Sequence, residues 1–178
     1  MEKEAKHPKR AKTHSIRPKV TAGWREWVGL PDLEVSYIKA KLDTGARSSA
    51  LHAFDVEEIE RDGEAWVRFS VHPWQRSAED AGTVELPVHD RRHVRSSTGH
   101  SQERIVVLMR LRIHDVDVTS EVTLTRRDSM GFRLLVGREA LRQGFLVDSY
   151  RSYLGGRPPK DVRRRNRGAD PETGVRGA

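Results

Sequence analysis

The chain contains no cysteine. This absence excludes a disulfide framework, a thiolate metal site and a cysteine nucleophile, and it suits a reducing compartment. Long hydrophobic runs are also missing, since none approaches the roughly 18 residues that a membrane-spanning helix needs. The first residues are rich in Lys, Arg and His and lack the apolar middle of a signal peptide. We therefore expect a soluble, cytoplasmic protein.

Two common motifs are absent as well. There is no Gly-x-x-x-x-Gly-Lys-Ser/Thr loop to bind ATP and no His-Glu-x-x-His pair to bind zinc. On an extended strand, His89 and His93 would lie about 13 Å apart, which is too far to share an ion. A zinc-dependent protease that uses His, Asp or Glu ligands stays an alternative, and its other candidate ligands are His72, Asp90 and His100. We predict no metal and no other cofactor.

The formal net charge of +7 is concentrated at the two ends of the chain. Residues 1–20 contain seven Lys or Arg and two acidic residues, and residues 155–178 contain seven and three. Both ends are polar, so we predict disordered basic tails at 1–20 and 155–178 around one domain at 21–154. The run at 163–167 could contact RNA or ribosomes, although such runs are more often solvated ends.

The middle of the domain presents a carboxylate at the end of a strand. Residues 35–42 alternate as a strand does, and Asp43 is followed by Thr44, Gly45 and Ala46. Aspartic peptidases present their catalytic group in this way: the strand positions the carboxylate, the glycine lets another backbone approach, and the hydroxyl can hydrogen bond to a neighbour. By itself the match is weak, because Asp-Thr-Gly also forms ordinary turns.

A second element, about ninety residues later, strengthens this interpretation. An apolar strand in residues 132–136 continues into Gly137 and Arg138, a short helix and a last strand at 145–147. The two elements together resemble the two-part signature of the retropepsins. Our candidate site residues are Asp43, Thr44 and Gly45 for catalysis, and Ala46, Arg47, Gly137 and Arg138 for substrate binding.

The remaining sequence predicts short strands. We count about eight of them, one short helix and no internal repeat, which indicates an all-β domain resembling a closed barrel. Residues 83–88 should form an edge strand because they include Pro87. The loops at 75–82 and 96–101 are the candidates for a flap over the substrate.

Five segments resemble a bacterial family that is often labelled "ATP-dependent zinc protease" and is also described as retropepsin-like aspartic endopeptidases. The resemblance covers about residues 21–154 and implies a retropepsin-like barrel that hydrolyses peptide bonds. Family members often occur near ATP-grasp enzymes that ligate glutamate, which implies a glutamate-rich substrate and association with such a ligase. Arg47 and the basic stretch 91–95 would favour an acidic substrate, but solvated surface is an equal explanation. The matching segments are residues 23–28, 39–46, 49–53, 124–128 and 135–138.

Aspartic catalysis needs two carboxylates that share a proton. The chain has one Asp-Thr-Gly, and Asp148 is not followed by a glycine. The second carboxylate should therefore be Asp43 of a second subunit across a two-fold axis. In this homodimer Thr44 would hydrogen bond across the interface, and Gly45 and Ala46 would let the two loops approach. An inactive binding module with the same fold is the remaining alternative.

Overall fold

A computed structural model describes residues 19–95, 101–126 and 131–168. Within these residues the helices are short: a 3-10 turn at Pro31–Leu33, α1 at Arg138–Leu141 and α2 at Lys160–Arg165. None of the described helices has the length and apolar character needed to cross a membrane. The strands are β1 Val20–Gly23, β2 Arg25–Leu30, β3 Val35–Asp43, β4 Ser49–His52, β5 Phe54–Arg61, β6 Glu64–Val71, β7 Gly82–Pro87, β8 Asp90–Arg95, β9 Ser101–Ile113, β10 Val116–Thr125, β11 Leu134–Gly137 and β12 Phe145–Asp148.

Six of these strands close into a barrel. They follow the order β10-β4-β11-β3-β2-β9, and the pairing of β9 with β10 completes the ring. The barrel is mixed, because β3 pairs in parallel with β11 and β4 in parallel with β10. Closure leaves these six strands without a free edge. The predicted all-β closed barrel is confirmed.

The alternation along β3 determines which side chains enter the barrel. Ile38, Ala40 and Leu42 are buried, whereas Lys39 and Lys41 remain partly exposed on the other face. Burial of each large aliphatic side chain stabilises the fold by about 1.5–3 kcal/mol. The fully buried side chains around them come from several other strands: Val28, Leu30, Leu51, Leu111, Ile113 and Leu134. Asp43 shares the outer face with the two lysines.

Strands outside the barrel form two smaller sheets. Strands β5, β6 and β7 form an antiparallel sheet, and β1 pairs in parallel with β12. The predicted edge strand is confirmed as β7, which lies at one side of its sheet. We predicted about eight strands and one helix, and the described residues contain more. Short strands such as β1 and β4 escaped prediction because their parallel partners lie about seventy residues or more away in the chain.

The structure differs from the sequence expectation over residues 155–168, which we predicted to be disordered. They include α2, and Asn166 is buried. The Asn166 Oδ1 accepts a hydrogen bond of 3.1 Å from the amide of Gln75, and Arg165 lies 2.9 Å from Asp80. Composition could not reveal these contacts, because they join the helix to a loop about eighty residues earlier. Residues 1–18 and 169–178 lie outside the described residues, so the tails there stay a prediction.

A buried carboxylate joins the segment before α2 to the barrel. Glu26 on β2 is 1% exposed, and its oxygens accept hydrogen bonds from the amides of Gly23 at 2.6 Å, Leu154 at 2.9 Å and Gly155 at 3.3 Å. The imidazole Nε2 of His114 lies 3.3 Å from the same carboxylate. Gly155 packs so tightly against His114 that a β-carbon would collide with the ring. Glu26 is therefore the main polar anchor of this segment.

We predict that Glu26→Ala lowers the free energy of unfolding by roughly 3 kcal/mol, because it leaves buried amide groups without an acceptor. Urea denaturation followed by circular dichroism measures this change. The matched control is Glu60→Ala, at an exposed position of β5, where the change should stay within about 0.5 kcal/mol. Equal effects of the two substitutions would contradict the anchoring role of Glu26.

Candidate active site

Asp43 ends β3 on the outer face of the barrel, and its side chain is 29% exposed. One carboxylate oxygen, Oδ1, accepts hydrogen bonds from the amides of Gly45 at 3.1 Å and Ala46 at 3.3 Å. The other oxygen, Oδ2, lies 3.8 Å from the ammonium group of Lys41. The loop therefore fixes the orientation of the carboxylate through one oxygen, and the second oxygen faces the outer surface.

The two sequence elements of the predicted signature meet at this point. Strand β11 lies parallel to β3, and Gly137 is the register partner of Asp43. The amide of Arg138 donates to the carbonyl oxygen of Ala46 at 2.9 Å, and the Arg138 guanidinium donates to that of Gly45 at 3.1 Å. The start of α1 therefore holds the loop that follows Asp43. The structure brings together residues that are about ninety positions apart.

Gly137 allows this contact because it has no side chain. A β-carbon at position 137 would lie 2.5 Å from the carbonyl carbon and oxygen of Ser48 and 2.8 Å from the oxygen of Arg47. Backbone atoms at that distance would have to move. The requirement for glycine at this position is thus the close approach of two backbones.

A buried pair of serines lies behind Gly137. The Gly137 amide donates to Ser49 Oγ at 3.1 Å, and Ser49 Oγ lies 2.7 Å from Ser120 Oγ. Ser120 Oγ in turn donates to the carbonyl oxygen of Glu121 at 3.1 Å. One consistent direction of donation, from Gly137 through both hydroxyls to Glu121, satisfies every group. The sequence gave no signal for Ser120, because it meets Ser49 only through the parallel pairing of β4 with β10.

Two other predicted site residues, Thr44 and Arg47, are exposed on the loop. The charge of Arg47 is one of the influences that lower the pKa of the Glu121 carboxyl, after the dominant hydrogen bond from Arg92. Arg92 also pairs with Asp90 at 2.9 Å, and Arg91 pairs with Glu58. Much of the positive charge that we expected from the stretch 91–95 is therefore neutralised by acids on the same surface.

The described histidines have local partners. His89 Nε2 lies 3.6 Å from Glu121 Oε1, and the His72 ring stacks on Phe54 at 3.9 Å between centroids. In the part of the chain that the structure describes, no three His, Cys, Asp or Glu side chains are grouped to share one metal ion. His100, another ligand candidate, lies outside that part. The chemistry of the site is therefore best developed from Asp43.

The predicted flap loops have different outcomes. The loop at 75–82 is tied to the C-terminal segment, because Asp80 accepts hydrogen bonds from Trp74 at 2.9 Å and from Arg165 at 2.9 Å. Residues 96–100 of the second candidate lie outside the described residues, between β8 and β9. Both flap assignments stay predictions.

We predict that Gly137→Ala lowers the free energy of unfolding by about 1–3 kcal/mol, because the added β-carbon overpacks the contact with Ser48. Chemical denaturation measures the change. The control is Gly131→Ala, since a β-carbon at position 131 meets no heavy atom within 4 Å. If both variants unfold at the same denaturant concentration, the close approach at Gly137 is not a structural constraint.

A second prediction concerns His72, whose pKa is lowered by burial and by the charge of Arg133. The unfolded chain then takes up this proton at a higher pH than the folded chain, so stability is lost as the pH falls below about 6.5. We expect the urea midpoint to fall less between pH 7.5 and pH 5.5 in His72→Phe than in the unsubstituted protein. The exposed His93→Phe is the control, and identical slopes in the His72 variant and the unsubstituted protein would contradict this assignment.

A closed mixed barrel in which an Asp-Thr-Gly-Ala loop is held by the Gly-Arg of a parallel neighbouring strand defines a retropepsin-like domain. Residues 21–158 match the model of the RimB-like family, described as retropepsin-like aspartic endopeptidase RimB, and the chain belongs to this family. The resemblance inferred from the sequence motifs is therefore confirmed.

Three similar proteins illustrate the family's context. A "Probable alpha-L-glutamate ligase" of Shewanella pealeana is 42% identical over 138 residues, which are 78% of this chain and 30% of that one. A protein of the same name from Desulfotalea psychrophila is 39% identical over 126 residues, 71% of this chain and 27% of its own. The chain thus spans less than a third of the length of these relatives. The crystal structure of Lpg0085, a Legionella pneumophila protein of unknown function, is 29% identical and has a TM-score of 0.64, covering 76% of this chain and 97% of its own.

Proposed function

We propose that the protein hydrolyses peptide bonds as an aspartic endopeptidase whose catalytic dyad consists of Asp43 from each subunit of a homodimer. The observation that carries this proposal is the arrangement of Asp43, which is oriented by two loop amides and retains a second oxygen toward the surface. The rival carboxylate within the chain, Asp148, is engaged elsewhere. Arg151 donates to it at 2.7 Å and lowers its pKa, with further hydrogen bonds from the amides of Tyr150 and Arg151.

The dyad would act through one shared proton. The ionised Asp43 takes a proton from water as the water oxygen attacks the scissile carbonyl carbon, and the protonated Asp43 of the other subunit donates to the carbonyl oxygen. Breakage of the carbon–nitrogen bond then returns one proton to the leaving amine. Like charges at close range keep the two carboxyls from ionising together. Thr44 is exposed in the single chain and is free to hydrogen bond across the interface, as Gly45 and Ala46 allow the loops to approach.

The proposed substrate is a glutamate-containing peptide or protein. The name shared by the two longer relatives supports this choice, because a segment like this chain accompanies a probable alpha-L-glutamate ligase. We propose that the present protein acts in the cytoplasm on the product of such a ligase, in association with it. Exposed arginines beside the loop support an acidic substrate: no carboxylate of the described residues lies within ion-pair distance of Arg138 or Arg47.

We predict that hydrolysis of glutamate-rich peptides survives treatment with a chelator and falls by about three orders of magnitude or more in Asp43→Asn. The measurement is peptide cleavage followed by mass spectrometry across a pH series. Asp148→Asn is the matched control and should retain activity, because Asp148 belongs to a structural ion pair. Heterodimers of Asp43→Asn with unsubstituted subunits should be as inactive as the variant, since each site needs both carboxylates.

Three results would overturn this proposal. Activity that is lost to chelator and restored by zinc would favour a metal mechanism. Full activity of a monomer, established by sedimentation, would exclude a dyad shared between subunits. Binding of the peptide without turnover under every condition would identify a binding module that has the retropepsin-like fold.

A further inference from the structure

Three cationic side chains share the outer face of β2 and β3 with Asp43. Lys39 and Lys41 alternate with the buried residues of β3, and Arg25 on β2 is the direct register partner of Lys41. We call Arg25, Lys39 and Lys41 the cationic face. Lys41 is the member nearest to the proposed catalytic group, with its Nζ 3.8 Å from Asp43 Oδ2 and its side chain 45% exposed.

This arrangement is unfavourable for the isolated chain. Like charges placed directly opposite one another on neighbouring strands destabilise a sheet, and Arg25 and Lys41 are such a pair. Among the described residues, neither Arg25 nor Lys39 has a carboxylate within 4.0 Å, and Lys41 has only Asp43. Arginines on other faces are paired: Arg110 lies 2.8 Å from Asp32, and Arg112 lies 2.7 Å from Asp117. The cationic face lacks the acidic partners that other parts of this surface have.

Aromatic rings hold two of these cations in place. The Arg25 guanidinium lies 4.7 Å from the centroid of the Trp24 ring and 5.2 Å from that of Tyr153. Lys39 Nζ lies 5.6 Å from the centroid of Phe132, which in turn packs edge-on against Trp24 at 6.0 Å. Such contacts satisfy the cations without neutralising them. The positive charge therefore remains available to an incoming anion.

We propose that the cationic face is a carboxylate-binding subsite and that Lys41 determines the preference of the site for an acidic side chain beside the scissile bond. This inference rests on the proposed function, because it gives the site at Asp43 its specificity. On one face of a strand, Lys39 and Lys41 are about 7 Å apart, which is also the repeat of alternate side chains in an extended peptide. The occupant is an acidic peptide, whose carboxylates supply the partners that the sheet lacks.

The first experiment measures binding without turnover. In the Asp43→Asn protein, we expect a fluorescent oligoglutamate peptide to bind about tenfold or more tightly than the matched oligoglutamine peptide. Adding Lys41→Met should reduce the affinity for oligoglutamate about tenfold, whereas Lys41→Arg should largely restore it. Lys160→Met, at an exposed position of α2, removes the same charge and should change neither affinity. Urea midpoints of all variants establish that they are folded.

The second experiment measures specificity in the active protein. Lys41→Met should lower the ratio of kcat/KM for the two peptides, oligoglutamate over oligoglutamine, by about tenfold, mainly through KM. An unchanged ratio, or equal binding of the two peptides, would overturn the subsite. So would equally tight binding of a single-stranded oligonucleotide of the same charge, since the preference would then be for any polyanion. Selective binding of oligoglutamate without hydrolysis would support the subsite and overturn only the proposed catalytic function.

Discussion

The parallel contact between β3 and β11 is the constraint on which the site depends. It places Gly137 beside Asp43, and the missing side chain at position 137 lets the backbone at 47–48 pass within contact distance. Amide groups at the start of α1 can then bind the carbonyl oxygens of the loop. The carboxylate is held by backbone geometry that two distant strands create together, and the buried hydroxyls of Ser49 and Ser120 fill the space behind it. A local change at any of these contacts would alter the direction of the Asp43 side chain.

Charge is distributed unevenly over this barrel. On most described faces arginines and carboxylates neutralise one another, as around Glu121 and Asp90, so these faces have little attraction for a charged ligand. Exposed pairs of this kind contribute little to stability. The outer face of β2 and β3 differs, because its cations contact aromatic rings and leave their charge unpaired. Specificity for an acidic substrate then follows from where acids are missing, more than from the net charge of the chain.

The sequence predicted the fold class and the position of Asp43 because both depend on local patterns. Alternation along residues 35–42 identified β3, and the Gly-Arg element identified β11. The partner of Gly137, Ser49, and the serine behind it could not be inferred, since β4 is four residues long and pairs in parallel with a strand seventy positions away. Order at 155–168 was missed for a related reason: a single buried Asn166 and the anchor at Glu26 attach a segment whose composition is that of a solvated tail.

A two-fold axis through the proposed dyad has a consequence for specificity. Each subunit that supplies Asp43 also supplies Lys41, 3.8 Å from that carboxylate in the single chain. A dimer therefore has a lysine on either side of the scissile bond, related by the same axis as the two catalytic groups. One lysine faces the residue before the bond and the other faces the residue after it. The site should accordingly prefer acidic residues on both sides, which is the pattern that a chain of consecutive glutamates presents at every bond.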